Sequence, residues 1–209
     1  MSKEIHRQIL PLFSRPIFII KGYTLNEEEM AAVQKERNSV NDNAGKNYTS
    51  QDSYIFNKPE FKNLATWIKK ELDIYFYDCL QLNKSTQLRF SQSWLNYNPK
   101  GTFHHVHTHP NSIVSGVYFI KGDQQPILFE RFENDHLFGN IIPEVDKYNY
   151  YNCGSWKVTN KPGYLLLFPS SVKHGVVMNE ATEERISLSF NTFVTGTIGK
   201  NRGLTELKI

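Results

Sequence analysis

Cysteine is nearly absent from this chain of 209 residues: Cys79 and Cys153 are the only two, 74 positions apart. That count and spacing argue against a disulfide scaffold and a cysteine zinc site, and make a reducing compartment the default. Long apolar runs are also missing. Pro16–Ile20 and Tyr164–Pro169 fall far short of the roughly 20 residues of a membrane-spanning helix. The N-terminal residues carry charges of both signs with no apolar segment behind them, so no targeting leader is expected. Neither charge dominates: 24 Lys and Arg against 21 Asp and Glu leave a net +3, without the dense basic stripe of a strong nucleic-acid binder. Repeats and low-complexity tracts are lacking too. Aromatic residues are plentiful. With 14 Phe, 11 Tyr and 39% hydrophobic residues the chain can fill a core. The expectation is a soluble, cytoplasmic, single-domain protein spanning residues 1–209.

The hydrophobic period divides the chain. Thr24-Leu25-Asn26-Glu27 has the S/T-x-x-E form of a capping box and predicts a helix from about Leu25 to Arg37. Residues 38–53 are polar and read as a loop. Pro59 suits the first turn of a second helix, on which Phe61, Leu64, Ile68, Leu72, Tyr75 and Cys79 form one apolar stripe. From Leu88 the period becomes two, and seven strand-like segments follow: 88–98, 113–121, 125–132, 155–159, 163–168, 175–178 and 185–194. Many short strands with few helices predict a β-sandwich or barrel. Residues 1–87 are expected to be a helical flank on it, 88–198 its core and 199–209 a tail. The irregular stretch 133–153 fits either a substrate loop or a surface excursion packed by its own tyrosines.

Four of the seven histidines, His104, His105, His107 and His109, fall within six positions, between Gly101 and Pro110. On a strand, His107 and His109 face the same side with Cα atoms about 6.5–7 Å apart, and both rings can meet one ion. Imidazole suits Fe, Zn, Cu and Ni. A basic surface patch is the plainer explanation of such a cluster; its place at a strand start favours a site. His174, on a predicted turn after the strand ending at Pro169, is the candidate third ligand. In Arg185-Ile186-Ser187-Leu188-Ser189-Phe190-Asn191 the alternation is strict, so Arg185, Ser187, Ser189 and Asn191 share a face. That face is either solvated or lines a pocket in which the guanidinium forks onto a carboxylate.

Taken together, Trp94/Asn96, Gly101, His107-Thr108-His109-Pro110, Ser115-Gly116-Val117-Tyr118, the strand Gly163–Ser170, His174 and Arg185–Asn191 resemble a bacterial and phage group of 2-oxoglutarate- and Fe(II)-dependent oxygenases. The resemblance is close from Trp94 to Asn191 and looser upstream, at Leu12-Phe13 and Phe61-x-x-Leu64. It implies a mainly β fold: a double-stranded β-helix, the cupin-like jelly roll, with N-terminal flanking helices. It further implies Fe(II), 2-oxoglutarate as cosubstrate and O2, with decarboxylation of 2-oxoglutarate to succinate coupled to hydroxylation or a related oxidation of a substrate the sequence does not identify. Carried onto this chain, His107, His109 and His174 would hold the metal, Arg185 would anchor the far carboxylate with Ser187 assisting, and Asn96 and Tyr118 would line the same pocket. Most of the superfamily has Asp or Glu where His109 stands. A carboxylate from elsewhere, such as Asp123, or a pairing of His105 with His107 therefore stays open. The rival functions are a cupin-type metalloenzyme that does not use 2-oxoglutarate and a non-catalytic barrel. Ligating imidazoles must be neutral, so metal affinity is expected to fall as pH drops toward about 6.5.

Overall fold

Asn26, rather than Thr24, caps the first helix, α1 (Glu27–Lys35). Its Oδ1 accepts from the Glu29 backbone at 2.8 Å, and Glu29 Oε2 accepts from the Asn26 backbone at 2.9 Å. Thr24-x-x-Glu27 and Asn26-x-x-Glu29 both satisfy the pattern. The second prevails because Glu29 also takes the hydroxyl of the half-buried Tyr23 at 2.6 Å and is itself buried. In this computed structural model the described residues are 8–38, 45–122, 126–132, 139, 141 and 143–209.

The second helix begins as a 3-10 turn at Pro59–Phe61, continues as α2 (Lys62–Asp73) and ends in a π-helical segment, Ile74–Cys79. Phe61, Leu64, Ile68, Leu72 and Tyr75 are fully buried, as the stripe predicts. Cys79 is exposed instead. The wider turn, in which the Leu80 backbone donates to Tyr75 five residues back, rotates the stripe so that Phe76 takes the buried position.

The remainder is antiparallel sheet. The strands are β1 (Phe18–Lys21), β2 (Tyr48–Thr49), β3 (Thr86–Asn98), β4 (His104–His107), β5 (Val114–Lys121), β6 (Ile127–Glu130), β7 (Ser155–Val158), β8 (Tyr164–Pro169), β9 (Lys173–Val176), β10 (Arg185–Ile198) and β11 (Leu207–Lys208). They form a seven-stranded sheet, β1-β8-β5-β10-β3-β2 with β11 on β10, and a four-stranded sheet, β4-β9-β6-β7. This is the mainly β jelly roll expected of the resemblance. Three elements outside 88–198 complete the larger sheet: β1 pairs with β8, β2 with β3 and β11 with β10. The stretch read as a helical flank therefore supplies one edge of that sheet and the short strand at its other end. No helix among the described residues is long and apolar enough to cross a membrane.

Both faces of the larger sheet are covered. Val114, Tyr118, Ile120, Leu165, Leu167, Ile186, Leu188 and Phe190 pack under the helices with Leu64, Ile68 and Leu72. Val117, Phe119, Leu166 and Phe168 meet Ile127, Phe129 and Val172 from the smaller sheet and loop. The second layer is apolar toward one end only. At the other end β10 offers Arg185, Ser187 and Ser189, and the cavity lies there. Gly116 permits the close fit beneath the helices, because a Cβ there would stand 2.2 Å from Phe190 Cζ.

Candidate metal centre and anion pocket

His107 and His174 sit opposite each other in the β4–β9 ladder. His174 therefore lies within a strand, not on a turn, and its ring reaches His107 by cross-strand pairing, with centroids 4.6 Å apart. His109 arrives differently. β4 ends at His107, so strand alternation does not place it. Its backbone N–H donates to the Ser170 carbonyl at 3.0 Å, and the turn that follows uses Asn111 at φ +57°. This brings the His109 ring to 4.8 Å from His107 and 5.0 Å from His174. One nitrogen from each of the three rings lies within 4.8 Å of the others.

The tautomers are constrained. His174 Nδ1 stands 3.0 Å from the Val172 carbonyl and His107 Nδ1 2.8 Å from that of His105. A carbonyl can only accept, so both Nδ1 atoms carry the proton and both Nε2 atoms present lone pairs. His109 Nε2 is 3.2 Å from His174 Nε2. Two nitrogens each about 2.0–2.1 Å from one ion can stand up to roughly 4 Å apart, so this spacing fits a shared cation. A second group, His104/His105/His107, has equally close nitrogens, but His105 is exposed. Asp123, the alternative carboxylate, lies outside the described residues.

Burial keeps these rings neutral. It lowers the pKa of His109 to about 3 and of His174 to about 4, with the neighbouring imidazoles pushing the same way. His107 is lowered chiefly by burial as well. His104 falls to about 4, first from burial, then from the other histidines and Arg185. Competition from protons therefore sets in well below the value of about 6.5 expected from free imidazole. A depressed pKa means that the unfolded chain binds protons the folded chain refuses. Stability is full above about pH 6.5 and declines toward pH 4. For His174 alone the loss at pH 5 is about 2 kcal/mol. Thermal melting of the metal-free protein should show a midpoint falling steadily from pH 7 to pH 5; a flat profile would contradict the neutral buried cluster.

Arg185 closes the far end of the cavity. It is 1% exposed, and its Nε and Nη1 have no hydrogen-bond partner among the described residues. Its guanidinium carbon lies 5.3 Å from the centre of the Phe119 ring, and burial lowers its pKa to about 10. Gly122, at φ +91°, lets the adjoining loop pass close, since a Cβ there would be 2.9 Å from Arg185 Cα. The cavity is about 230 Å³ and is lined at opposite ends by the histidines and by Arg185 and Ser187. A buried cation with two unpaired donors is costly unless an anion completes it. The donor set thus fits a borderline metal at one end and a carboxylate at the other.

Asn96 also lines the cavity and donates from Nδ2 to Ser189 Oγ at 2.9 Å. Tyr118 does not line it. Its side chain points to the helical layer, where the hydroxyl donates to the Tyr23 carbonyl at 2.9 Å. The even residues of β5 face the helices and the odd ones the smaller sheet, which fixes that orientation. Among the lining residues that went unassigned in the sequence are Trp94, whose ring is 5.9 Å from His109, and His104. Trp94 could have been found by parity, being two residues from Asn96 on one strand. His104 could not, because the β4–β9 register shifts between His104 and His107.

Residues 92–191 match a family model described as "Putative 2OG-Fe(II) oxygenase". No curated protein sequence matches significantly. Among solved structures, an oxidoreductase of the 2OG-Fe(II) oxygenase family from Burkholderia pseudomallei is 15% identical with a TM-score of 0.55, covering 85% of this chain and 84% of its own. HygX from Streptomyces hygroscopicus, with nickel and 2-oxoglutarate bound, is 13% identical at TM-score 0.56, covering 86% and 83%. A prolyl hydroxylase from Trichoplax adhaerens, in complex with a hypoxia inducible factor peptide fragment, is 12% identical at 0.57, covering 87% and 85%. At such identities the structures speak for the fold; the family model speaks for the segment that holds every candidate ligand and the arginine. Residues 92–191 thus resemble the 2OG-Fe(II) oxygenase family in sequence, and the chain shares its fold with solved members of that family.

Proposed function

We propose that this protein is a non-haem Fe(II)- and 2-oxoglutarate-dependent dioxygenase in which His107, His109 and His174 hold the metal and Arg185 holds the far carboxylate of the cosubstrate. The observation that carries this is the buried Arg185, with unpaired Nε and Nη1, facing a cavity whose other end is a three-imidazole cluster. Bound iron would supply activation of O2 driven by oxidative decarboxylation of 2-oxoglutarate to succinate and CO2.

The chain's own residues do the rest. His107 and His174 present lone pairs already oriented by their backbone acceptors. Arg185 supplies two charge-assisted donors in a fork matched to a carboxylate, and the Ser187 hydroxyl is placed to add a third. Phe119, fully buried against the guanidinium, keeps water from that end, which strengthens that pairing. Asn96, held by Ser189, lines the wall beside them. Three neutral imidazoles leave the full metal charge uncompensated until an anionic cosubstrate arrives, and this favours its binding.

The cavity is smaller than the roughly 300–1,000 Å³ of sites for drug-sized ligands, so it suits the cosubstrate, and the oxidised substrate would approach at the histidine end. A small molecule or a peptide fits that reading; HygX is seen with hygromycin B and the Trichoplax enzyme with a peptide fragment. Loops 38–53 and 133–153 would shape the entrance; residues 39–44, 133–138, 140 and 142 of these lie outside the described residues. Tyr150, its ring tilted against that of Trp156 with centroids 4.6 Å apart, and the exposed Tyr148 and Tyr151 would add aromatic surface. Two free cysteines accord with action in a reducing cytoplasm of a bacterial or phage-infected cell.

The test is anaerobic addition of Fe(II) and 2-oxoglutarate. A visible charge-transfer band, followed by succinate on admitting air, is expected. If metal binds but neither signal develops, the cupin-type reading without 2-oxoglutarate takes its place.

A further inference from the structure

Behind His109 runs a chain of buried and half-buried hydrogen bonds that none of the roles above uses. Asn191 Nδ2 lies 3.4 Å from His109 Nδ1, and Asn191 Oδ1 lies 2.8 Å from Ser115 Oγ. Ser115 Oγ is 2.8 Å from Ser170 Oγ, which is 2.6 Å from Ser112 Oγ. Ser112 Oγ in turn accepts from the Thr192 backbone at 3.3 Å and lies 3.3 Å from the Val114 carbonyl. Ser115, Ser170 and Thr192 are essentially inaccessible, so water cannot replace a missing partner.

Each serine has one proton to give, so the chain must run in a single direction, and two directions satisfy it. In the first, Ser112 donates to Ser170, Ser170 to Ser115, Ser115 to Asn191 Oδ1, and Asn191 Nδ2 to His109 Nδ1. His109 then carries its proton on Nε2 and donates it across 3.2 Å to the His174 Nε2 lone pair. Every group is paired, and no lone pair of His109 is left for an ion. In the second, the Asn191 carboxamide turns over. His109 Nδ1–H donates to Oδ1, Nδ2 donates to Ser115, and Ser115, Ser170 and Ser112 each donate onward until Ser112 reaches the Val114 carbonyl. His109 Nε2 is then a lone pair directed at the same point as His107 and His174. The two ends of a carboxamide have nearly the same shape, so the reversal needs rotations of the amide and hydroxyls and no movement of the backbone.

We propose that Asn191 is a positioning residue that selects the ligating tautomer of His109, and that metal binding reverses the Ser112–Ser170–Ser115–Asn191 chain. The inference rests on His109 being a ligand, as proposed above. It makes the metal-free centre a closed hydrogen-bonded pair, His109 to His174, in place of two repelling lone pairs. It also gives a reason for three adjacent hydroxyls at the base of a β-sheet where apolar side chains would pack as well.

Two measurements without turnover test it. Imidazole 15N–1H spectra of the labelled protein should place the His109 proton on Nε2 without metal and on Nδ1 with Zn(II) bound; the same nitrogen in both states overturns the reversal. Titration with Co(II) should show Asn191→Ala binding roughly 10–100-fold more weakly, the usual effect of losing an outer hydrogen-bond partner. Asn191→Asp, which can only accept, should bind at least as well as the unsubstituted protein, and Ser115→Ala should weaken binding by a smaller factor. Asn191→Ala within twofold of the unsubstituted protein, or Asn191→Asp as weak as Asn191→Ala, overturns the role of Asn191. Failure of the unsubstituted protein to bind Co(II) or Zn(II) at all would instead remove the metal centre itself, a separate and recognisable result.

Discussion

Replacing Arg185 with methionine is expected to weaken 2-oxoglutarate binding by roughly 100-fold or more while leaving metal affinity nearly unchanged. Removing one partner of a buried, hydrogen-bonded charge pair costs about 2–5 kcal/mol, and every 1.4 kcal/mol is tenfold. The proposed metal ligands are on β4, on β9 and in the loop before β5, whereas Arg185 opens β10 at the other end of the cavity, so the two sites can be separated. The same substitution has a second, opposite consequence. Without a cosubstrate, Arg185 is a buried cation with two unpaired donors, and an apolar side chain of similar length removes that penalty. The Arg185→Met protein should therefore melt at a higher temperature than the unsubstituted one when no 2-oxoglutarate is present, and should gain nothing when it is added. Melting curves with and without 2-oxoglutarate, beside a titration of its affinity, read both effects. Equal loss of metal and cosubstrate, or a lowered melting point, would make Arg185 a structural residue.

Substitution of His174 by alanine should lower metal affinity by more than the ~10–100-fold typical of residues outside the coordination sphere, and succinate formation should vanish with it. His174 is 5% exposed, is held by Val172 and faces both other rings, so its loss leaves the group with two imidazoles. His104→Ala serves as the comparison, because His104 lines the cavity but is not in the His107/His109/His174 group. It should retain metal. His109→Asp should retain it too, since a carboxylate at that position is the commoner arrangement among the oxygenases this sequence resembles. Atomic absorption on the purified proteins, with succinate measured in parallel, checks all three. Retention of full metal by His174→Ala would assign the centre to the His104/His105/His107 group.

Most strands of the barrel were legible because the period-two segments from Leu88 onward are cleanly punctuated; their order, and the short β4 among the histidines, were not. β1 was not: Phe18–Lys21 is four residues in a region whose other signals are helical, and only its pairing with β8 makes it a strand. The second helix was legible as far as Asp73, beyond which a change in winding no periodicity reveals moved burial from Cys79 to Phe76. Tyr118 shows the same limit. β5 is buried on both faces, so the hydrophobic pattern carries no parity, and a tyrosine could have faced the cavity or the helices with equal ease.

Residue chemistry and spacing, by themselves, determined that imidazoles from two separated stretches and an arginine on an alternating polar strand would belong to one kind of site. Those are properties of side-chain type and of strand periodicity, which are local. Only the tertiary structure decided how the rings meet: His174 through a cross-strand pair, His109 through a loop bond to Ser170, and Asn191 behind it as the partner of its second nitrogen. Such contacts join residues 61 to 82 positions apart. Their geometry is set by ladder register and by where a turn is tied down, and neither is written in the order of residues near the site.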